Sequence, residues 1–237
     1  MKELYNIVEG IFDVTSSSID KYTKGKTSEE IRWMIEHSHP KNRRELLYTI
    51  DAYCSDFGWD SDLNWIDVSE ITDMSYLFYD NPKFNGDISK WDVSNVIYMI
   101  GMFEGSQFNG VIKDWNVSNV VNMRSMFKNS IFDGDISKWN VSNVKVMGYM
   151  FFRSKFNQDI SKWDTSSVTS MEDMFAGSIF NKDISKWDVR HVVDMQYMFL
   201  NANFDKDISK WKPVRIRFMD DMFSGCPLQY NPPDWYY

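Results

Sequence analysis

The sequence predicts an α/β solenoid built from about seven tandem repeats, and two regular spacings carry this prediction. Tryptophan recurs every 24 residues after a first interval of 26, and methionine keeps the same spacing. A second methionine or a leucine, followed by phenylalanine, comes three residues after each of these methionines. The tryptophans of the series are Trp65, Trp91, Trp115, Trp139, Trp163, Trp187, Trp211 and Trp235. A single unit of this size cannot bury its large side chains alone, so neighbouring units must stack.

Each repeat changes its hydrophobic period halfway along. In the repeat around Trp139, we expect Ile136, Trp139 and Val141 to share one face, which predicts a short strand. Residues 144–151 then carry apolar side chains at i, i+3, i+6 and i+7, which predicts one turn or two of helix. Ser142 or Asn143 is the expected cap of that helix.

The chain divides into three regions. Residues 26–60 predict a helical cap for the stack, with Thr27 or Ser28 at the start of a first helix and Pro40 opening a second. Residues 61–237 predict the repeats, followed by a terminator rich in proline and aromatic residues.

Residues 1–25 form an amphipathic segment and a polar linker. Leu4, Ile7, Val8, Ile11 and Phe12 fall on one helical face. Two alternatives stay open for this segment, which either folds onto the cap or docks a partner.

Composition narrows the function classes. The formal net charge is -8 and the pI is about 4.9, which argues against binding of nucleic acid or of an anionic membrane surface. The sequence holds no apolar run long enough to cross a bilayer, so no membrane insertion is expected. No secretory signal is recognisable, which favours a cytoplasmic or virion-associated protein unless a leader was removed.

No catalytic, cofactor or metal site is predicted. His37, His39 and His191 lack partners at zinc-ligand spacing and are expected to be solvated loop residues. A column of aspartates before each predicted strand could attract calcium, but paired lysines favour ion pairs and turn capping instead. Asparagines and aspartates in a second column are expected to satisfy turn backbone groups. These columns are Asp87, Asp135, Asp159, Asp183 and Asp207, and Asn85, Asn109, Asp133, Asn157, Asn181 and Asp205.

The repeat resembles that of the BspA-like leucine-rich-repeat surface proteins. The resemblance rests on the string DVSNV..M..MF..S.FN.DISKW, which runs from Trp65 to about Cys226. It implies a leucine-rich-repeat-type solenoid with parallel strands on the concave side and short helices on the convex side. It also implies adhesion or partner recognition in a bacterial or phage context, with no catalytic residue.

We therefore expect a non-catalytic module that binds a protein partner. The alternative is a structural component or spacer of a larger assembly, such as a phage particle. Two surfaces are candidates for the partner, because aromatic side chains and repeated charges mark them. The helix side is predicted to present Tyr98, Tyr149, Phe152, Tyr197, Leu200 and Phe218, and the concave side Lys138, Lys162 and Lys186.

Overall fold

The computed structural model describes residues 24–236. The amphipathic segment predicted at residues 4–12 lies outside the described residues. Two α-helices open the described part, α1 (Ser28–His37) and α2 (Arg43–Phe57). Two short 3-10 helices, Pro227–Tyr230 and Asp234–Tyr236, close it. Between them, residues 58–226 form a stack of coils, each one repeat long.

The two helices lie in the region where the sequence predicts a cap. Thr27 forms a capping box with Glu30, since each side chain bonds the other residue's backbone amide. Asn42 caps α2 through the amide of Glu45 at 3.1 Å. Tyr53 of α2 contacts Trp65 of the first coil, with ring centroids 5.0 Å apart. The helices therefore cover one end of the stack.

Successive coils are joined by single parallel bridge pairs rather than by strands. One residue of each coil pairs with its equivalent in the next coil, one repeat away. The pairs run in an unbroken series through Asp73, Tyr98, Asn122, Val146, Ser170, Asp194 and Phe218. No extended strand occurs within residues 24–236.

The prediction of an α/β leucine-rich-repeat-type solenoid with parallel strands is therefore wrong. The segment that was expected to be a strand is bent by a reverse turn. The amide of Trp139 donates to the carbonyl of Ile136 at 3.2 Å, which closes a four-residue turn. A second turn follows at once, from Val141 to Val144 at 2.9 Å. Ser142 therefore lies inside a turn and caps no helix.

The predicted short helices are also absent, because two residues in each of these segments have a left-handed backbone conformation. Tyr149 and Arg153 have φ of 59° and 51°, a left-handed conformation that a right-handed helix cannot contain. The string Met-x-x-Met-Phe-x-x-Ser instead forms two consecutive turns, closed by bonds from Met150 to Met147 and from Ser154 to Phe151. The left-handed positions recur in every coil as Tyr76/Asp80, Gly101/Gly105, Ser125/Asn129, Tyr149/Arg153, Asp173/Gly177, Tyr197/Asn201 and Asp221/Gly225.

These paired turns stack into what we call the turn ladder, formed by residues 145–154 and their equivalents in the other coils. Four amides of a coil donate to four carbonyls of the next coil. For the coil of Met147 the donor–acceptor pairs are Met147–Ser170, Tyr149–Glu172, Phe151–Met174 and Arg153–Ala176, at 2.7–3.0 Å. All four bonds point towards the C-terminal end of the stack, so their peptide dipoles align. The turn ladder is thus a surface defined by backbone hydrogen bonds between coils.

The core consists of columns of identical rings. Phe151 stacks on Phe175 at 5.7 Å, and Phe156 stacks on Phe180 at 6.2 Å, both nearly parallel. The indole Nε1 of each tryptophan from Trp91 onward donates to a carbonyl of the preceding coil. Each buried tryptophan removes about 150–250 Å² from water, which contributes several kcal/mol before entropy is subtracted.

Candidate recognition surface

The structure brings the six predicted aromatic and aliphatic site residues onto one surface, the outer side of the turn ladder. Two of them, Tyr98 and Phe218, occupy the bridge position and are 44% and 49% exposed. Tyr149 and Tyr197 occupy the first left-handed position. The remaining two, Phe152 and Leu200, precede the second left-handed position. The last four are half-buried. The predicted helix is wrong, yet the predicted residues share a face.

The three predicted lysines lie on a different corner of the coil. Lys138, Lys162 and Lys186 each occupy the third position of the Ile-Ser-Lys-Trp turn and are exposed. This corner is nearly invariant, because five of the six turns that follow the first coil have the sequence ISKW. The two predicted surfaces therefore lie on different parts of the coil, and the lysine surface has nearly the same sequence in successive coils.

The polar columns beside that corner serve the backbone. Asp135 Oδ1 accepts from the amide of Ser137 at 2.9 Å, and the other aspartates of that column bond in the same way. Hydrogen bonding by the side chain and then by the amide of Ser137 lowers the pKa of Asp135. Asn109 Oδ1 accepts from the amide of Asp133 in the next coil at 2.9 Å. The turn-capping prediction is confirmed for the aspartate column, whereas the second column bonds the backbone of the next coil instead of a turn of its own.

The turn ladder, in contrast, changes its side chains from coil to coil. Its bridge position reads Tyr98, Asn122, Val146, Ser170, Asp194 and Phe218. With Asp73 of the first coil included, seven coils thus present six different residue types at equivalent sites on a regular backbone, and aspartate occurs twice.

An ion pair spans three coils on this surface. Arg124 Nη1 lies 3.0 Å from Glu172 Oε2, although two repeats separate the residues in sequence. Gly148 lies between them, and a Cβ there would come within 2.9 Å of Arg124 Nη1. The guanidinium also lies 4.6 Å from the ring centroid of Tyr149, whose hydroxyl donates to Glu172 at 3.3 Å. These contacts fix the middle of the turn ladder.

Further pairs extend this polar network. Lys128 Nζ lies 2.8 Å from Glu104 Oε1 and 5.9 Å from the ring centroid of Phe152. The guanidinium carbon of Arg153 lies 5.0 Å from the same ring. Phe152 is therefore flanked by two cations.

Carboxylates are crowded towards the C-terminal half of the turn ladder. Burial raises the pKa of Asp173, and the nearby charge of Glu172 raises it further. Burial likewise raises the pKa of Asp194. These groups are held against other residues of the surface rather than freely solvated.

Sequence reasoning missed two aromatic residues of this surface. Tyr76 and Tyr79 are 45% and 52% exposed, and their rings lie 5.7 Å apart. Tyr76 is the equivalent of Tyr149, with a φ of 57°. The longer spacing of the first repeat obscures this equivalence, but the left-handed series recovers it.

The structure offers no alternative site for metal chemistry in its described residues. No three His, Cys, Asp or Glu side chains of residues 24–236 are grouped as a metal ion would require. In the same range, no helix combines the length and the apolar character of a bilayer span.

The fold and the repeated surface define a tandem-repeat protein. The family model described as Mycoplasma protein of unknown function, DUF285, matches residues 49–155 and again residues 129–235. The chain therefore belongs to the DUF285 family, which it matches twice in tandem. Neither a curated protein nor a solved structure matches the chain.

Proposed function

We propose that the protein is a non-catalytic recognition module that binds a protein partner on its turn ladder. One observation carries this proposal, namely that side chains vary from coil to coil on a backbone that does not vary. The ISKW corner repeats almost unchanged, whereas the bridge position holds six residue types in the seven coils from Asp73 to Phe218. Exposed differences on a regular scaffold allow a repeat protein to discriminate among partners.

The distribution of aromatic side chains supports the same surface. Tyr76, Tyr79 and Tyr98 are exposed on the coils nearest the cap, and aromatic side chains are enriched at the energetic centres of interfaces. The resemblance of the repeats to BspA-like surface proteins supports a role in adhesion or partner recognition.

The experiment compares two matched pairs of substitutions. Tyr79→Ser with Tyr98→Ser alters the turn ladder, and Lys138→Ser with Lys162→Ser alters the uniform corner. All four side chains are exposed, so both variants should fold. Each variant and the unaltered protein are crosslinked in a lysate of the source organism, and the captured proteins are quantified by mass spectrometry.

The proposal predicts a partner that the lysine variant retains and the tyrosine variant loses. Loss with the lysine variant alone would assign binding to the uniform corner and contradict the proposal. Retention by both variants would also contradict binding at the tyrosine end of the turn ladder.

A second function, a structural component of a larger assembly, is favoured by the last coil. The amides of Met219, Asp221 and Phe223 are equivalent to those that donate to the next coil elsewhere, and none bonds to another residue of the described chain. A row of unpaired donors is a template on which another chain can add. Sedimentation analysis tests this alternative, since an assembly component should form concentration-dependent oligomers.

A further inference from the structure

A pocket with aromatic walls lies at the opposite end of the molecule from the open coil edge. It is a half-open cleft between α1 and α2 and has a volume of about 310 Å³. Three aromatic rings and three carboxylates line it, and only one further residue contributes. The lining is Glu29, Glu30, Trp33, Ala52, Tyr53, Asp56 and Phe57.

The two helices place these groups by their periodicity. Glu29, Glu30 and Trp33 fall within one turn of α1, and Tyr53 and Phe57 are four residues apart on α2. The rings of Tyr53 and Phe57 are 4.6 Å apart and tilted by 39°, so they form two adjoining walls. Trp33 is fixed from behind by stacking on His37 at 4.3 Å. The walls are therefore held by packing.

An ammonium group of the chain itself lies at this pocket. Lys26 Nζ is 3.8 Å from the ring centroid of Phe57 and 5.0 Å from that of Tyr53. Both distances fall within the range of a cation–π interaction. Lys26 is not one of the residues that line the pocket, so the interaction shows that two of the wall rings attract a cation while the pocket itself stays free.

A lysine ammonium group binds weakly to aromatic walls of this kind. This primary ammonium is compact and strongly hydrated, so moving it against aromatic rings removes favourable hydration. Burial accordingly lowers the pKa of Lys26, while the charge of Glu30 opposes that change. An ammonium that carries methyl groups instead of N–H bonds loses less hydration and contacts the rings more fully.

We propose that this pocket is a binding site for an alkylated ammonium ion, which competes with Lys26 for the rings of Phe57 and Tyr53. The carboxylates of Glu29, Glu30 and Asp56 select a cation over an anion. The volume lies at the lower end of the range for small-molecule pockets, so it has room for a small ligand that carries such a head group. This proposal is independent of the turn ladder, which lies on a different part of the chain.

The test titrates the full chain with tetramethylammonium and follows saturation transfer from protein to the methyl protons by NMR. Lys26→Met removes a neighbouring positive charge that competes for the same rings and should tighten binding at least about threefold, because like charges repel. Phe57→Leu keeps an apolar side chain but removes a ring face, and should weaken binding about fivefold. Glu30→Gln keeps the capping box while removing a charge, and should weaken binding about twofold.

Two controls separate the proposed chemistry from simple hydrophobic contact. Tyr79→Leu removes an exposed aromatic ring outside the pocket and should leave binding unchanged. The compound 3,3-dimethylbutan-1-ol has the shape of choline without its positive charge, and it should bind at least about tenfold more weakly than choline. Choline and a trimethyllysine peptide then distinguish a small-molecule source of the group from a protein source.

The proposal is overturned if tetramethylammonium gives no saturable signal with the Lys26→Met protein. It is also overturned if 3,3-dimethylbutan-1-ol binds as well as choline, or if Phe57→Leu behaves like Tyr79→Leu. If the Phe57→Leu protein loses its native circular dichroism spectrum, the proposal is tested with the Glu30→Gln and Lys26→Met variants alone.

Discussion

The indole Nε1 of Trp139 donates a 3.0 Å hydrogen bond to the carbonyl oxygen of Ile112, which belongs to the preceding coil. The same bond recurs along the stack and joins each ring to the coil before it. Trp65 is the exception, because its Nε1 is buried and bonds to no acceptor among residues 24–236. The two tryptophans are equally buried, at 3% and 2% exposure, and so form a matched pair.

Trp139→Phe should therefore destabilise the protein more than Trp65→Phe. The change at Trp139 removes ring volume and one buried hydrogen bond, and the bond is worth about 0.5–1.5 kcal/mol. The change at Trp65 removes a buried N–H that has no acceptor, which widens the difference. The carbonyl of Ile112 keeps its bond from the amide of Trp115, so no acceptor is left unpaired. Urea unfolding should give a difference of at least about 1 kcal/mol, and equal costs would contradict the stacking role of the indole bond.

Gly148→Ala should destabilise the turn ladder through the ion pair that crosses it. The added Cβ would meet Arg124 Nη1 at 2.9 Å and the carbonyl of Glu172 at 3.2 Å. We expect a cost of about 1–2 kcal/mol by urea unfolding. In a protein that already carries Arg124→Ala, the cost should fall to about half, because only the backbone contact remains. A cost that does not depend on Arg124 would show that the pair does not cross Gly148.

Asp173→Asn should stabilise the folded protein at pH 7. Burial and the neighbouring charge of Glu172 raise the pKa of Asp173 in the folded state. A raised carboxyl pKa means that the folded state binds the proton more tightly, so the carboxyl opposes folding once it is ionised. The advantage of the Asn variant should therefore shrink as the pH falls from 7 towards 4. An advantage that is constant with pH, measured by urea unfolding, would exclude this titration as its cause.

The sequence predicted the repeat, its core and the face of the site, but not the local backbone. Ring positions such as Trp139 and Phe151 are set by a spacing that any stacked repeat must keep, so their burial follows from the period alone. Apolar residues at Val144, Met147, Met150 and Phe151 match a helix, and they equally match two successive turns that face one core. Hydrophobic spacing cannot distinguish these two arrangements.

A signal that favours turns is nevertheless present in the sequence. The second left-handed position holds Gly, Asn or Asp in every coil except that of Arg153. These residue types tolerate positive φ, which indicates a turn rather than a helix. The exposed pair Tyr76 and Tyr79 could be placed only after the register of this position was known.

Arg153 provides the most direct test of the turn ladder, on which the proposed recognition surface depends. Its φ of 51° favours glycine over alanine, whereas a helix favours alanine over glycine by about 1 kcal/mol. Both substitutions remove the same side-chain contact with Phe152, so the comparison isolates the backbone. The decisive measurement is the difference in free energy of unfolding between Arg153→Gly and Arg153→Ala, obtained by urea titration. The turn ladder predicts that the glycine variant is more stable by about 0.5–1 kcal/mol, and a more stable alanine variant would contradict it.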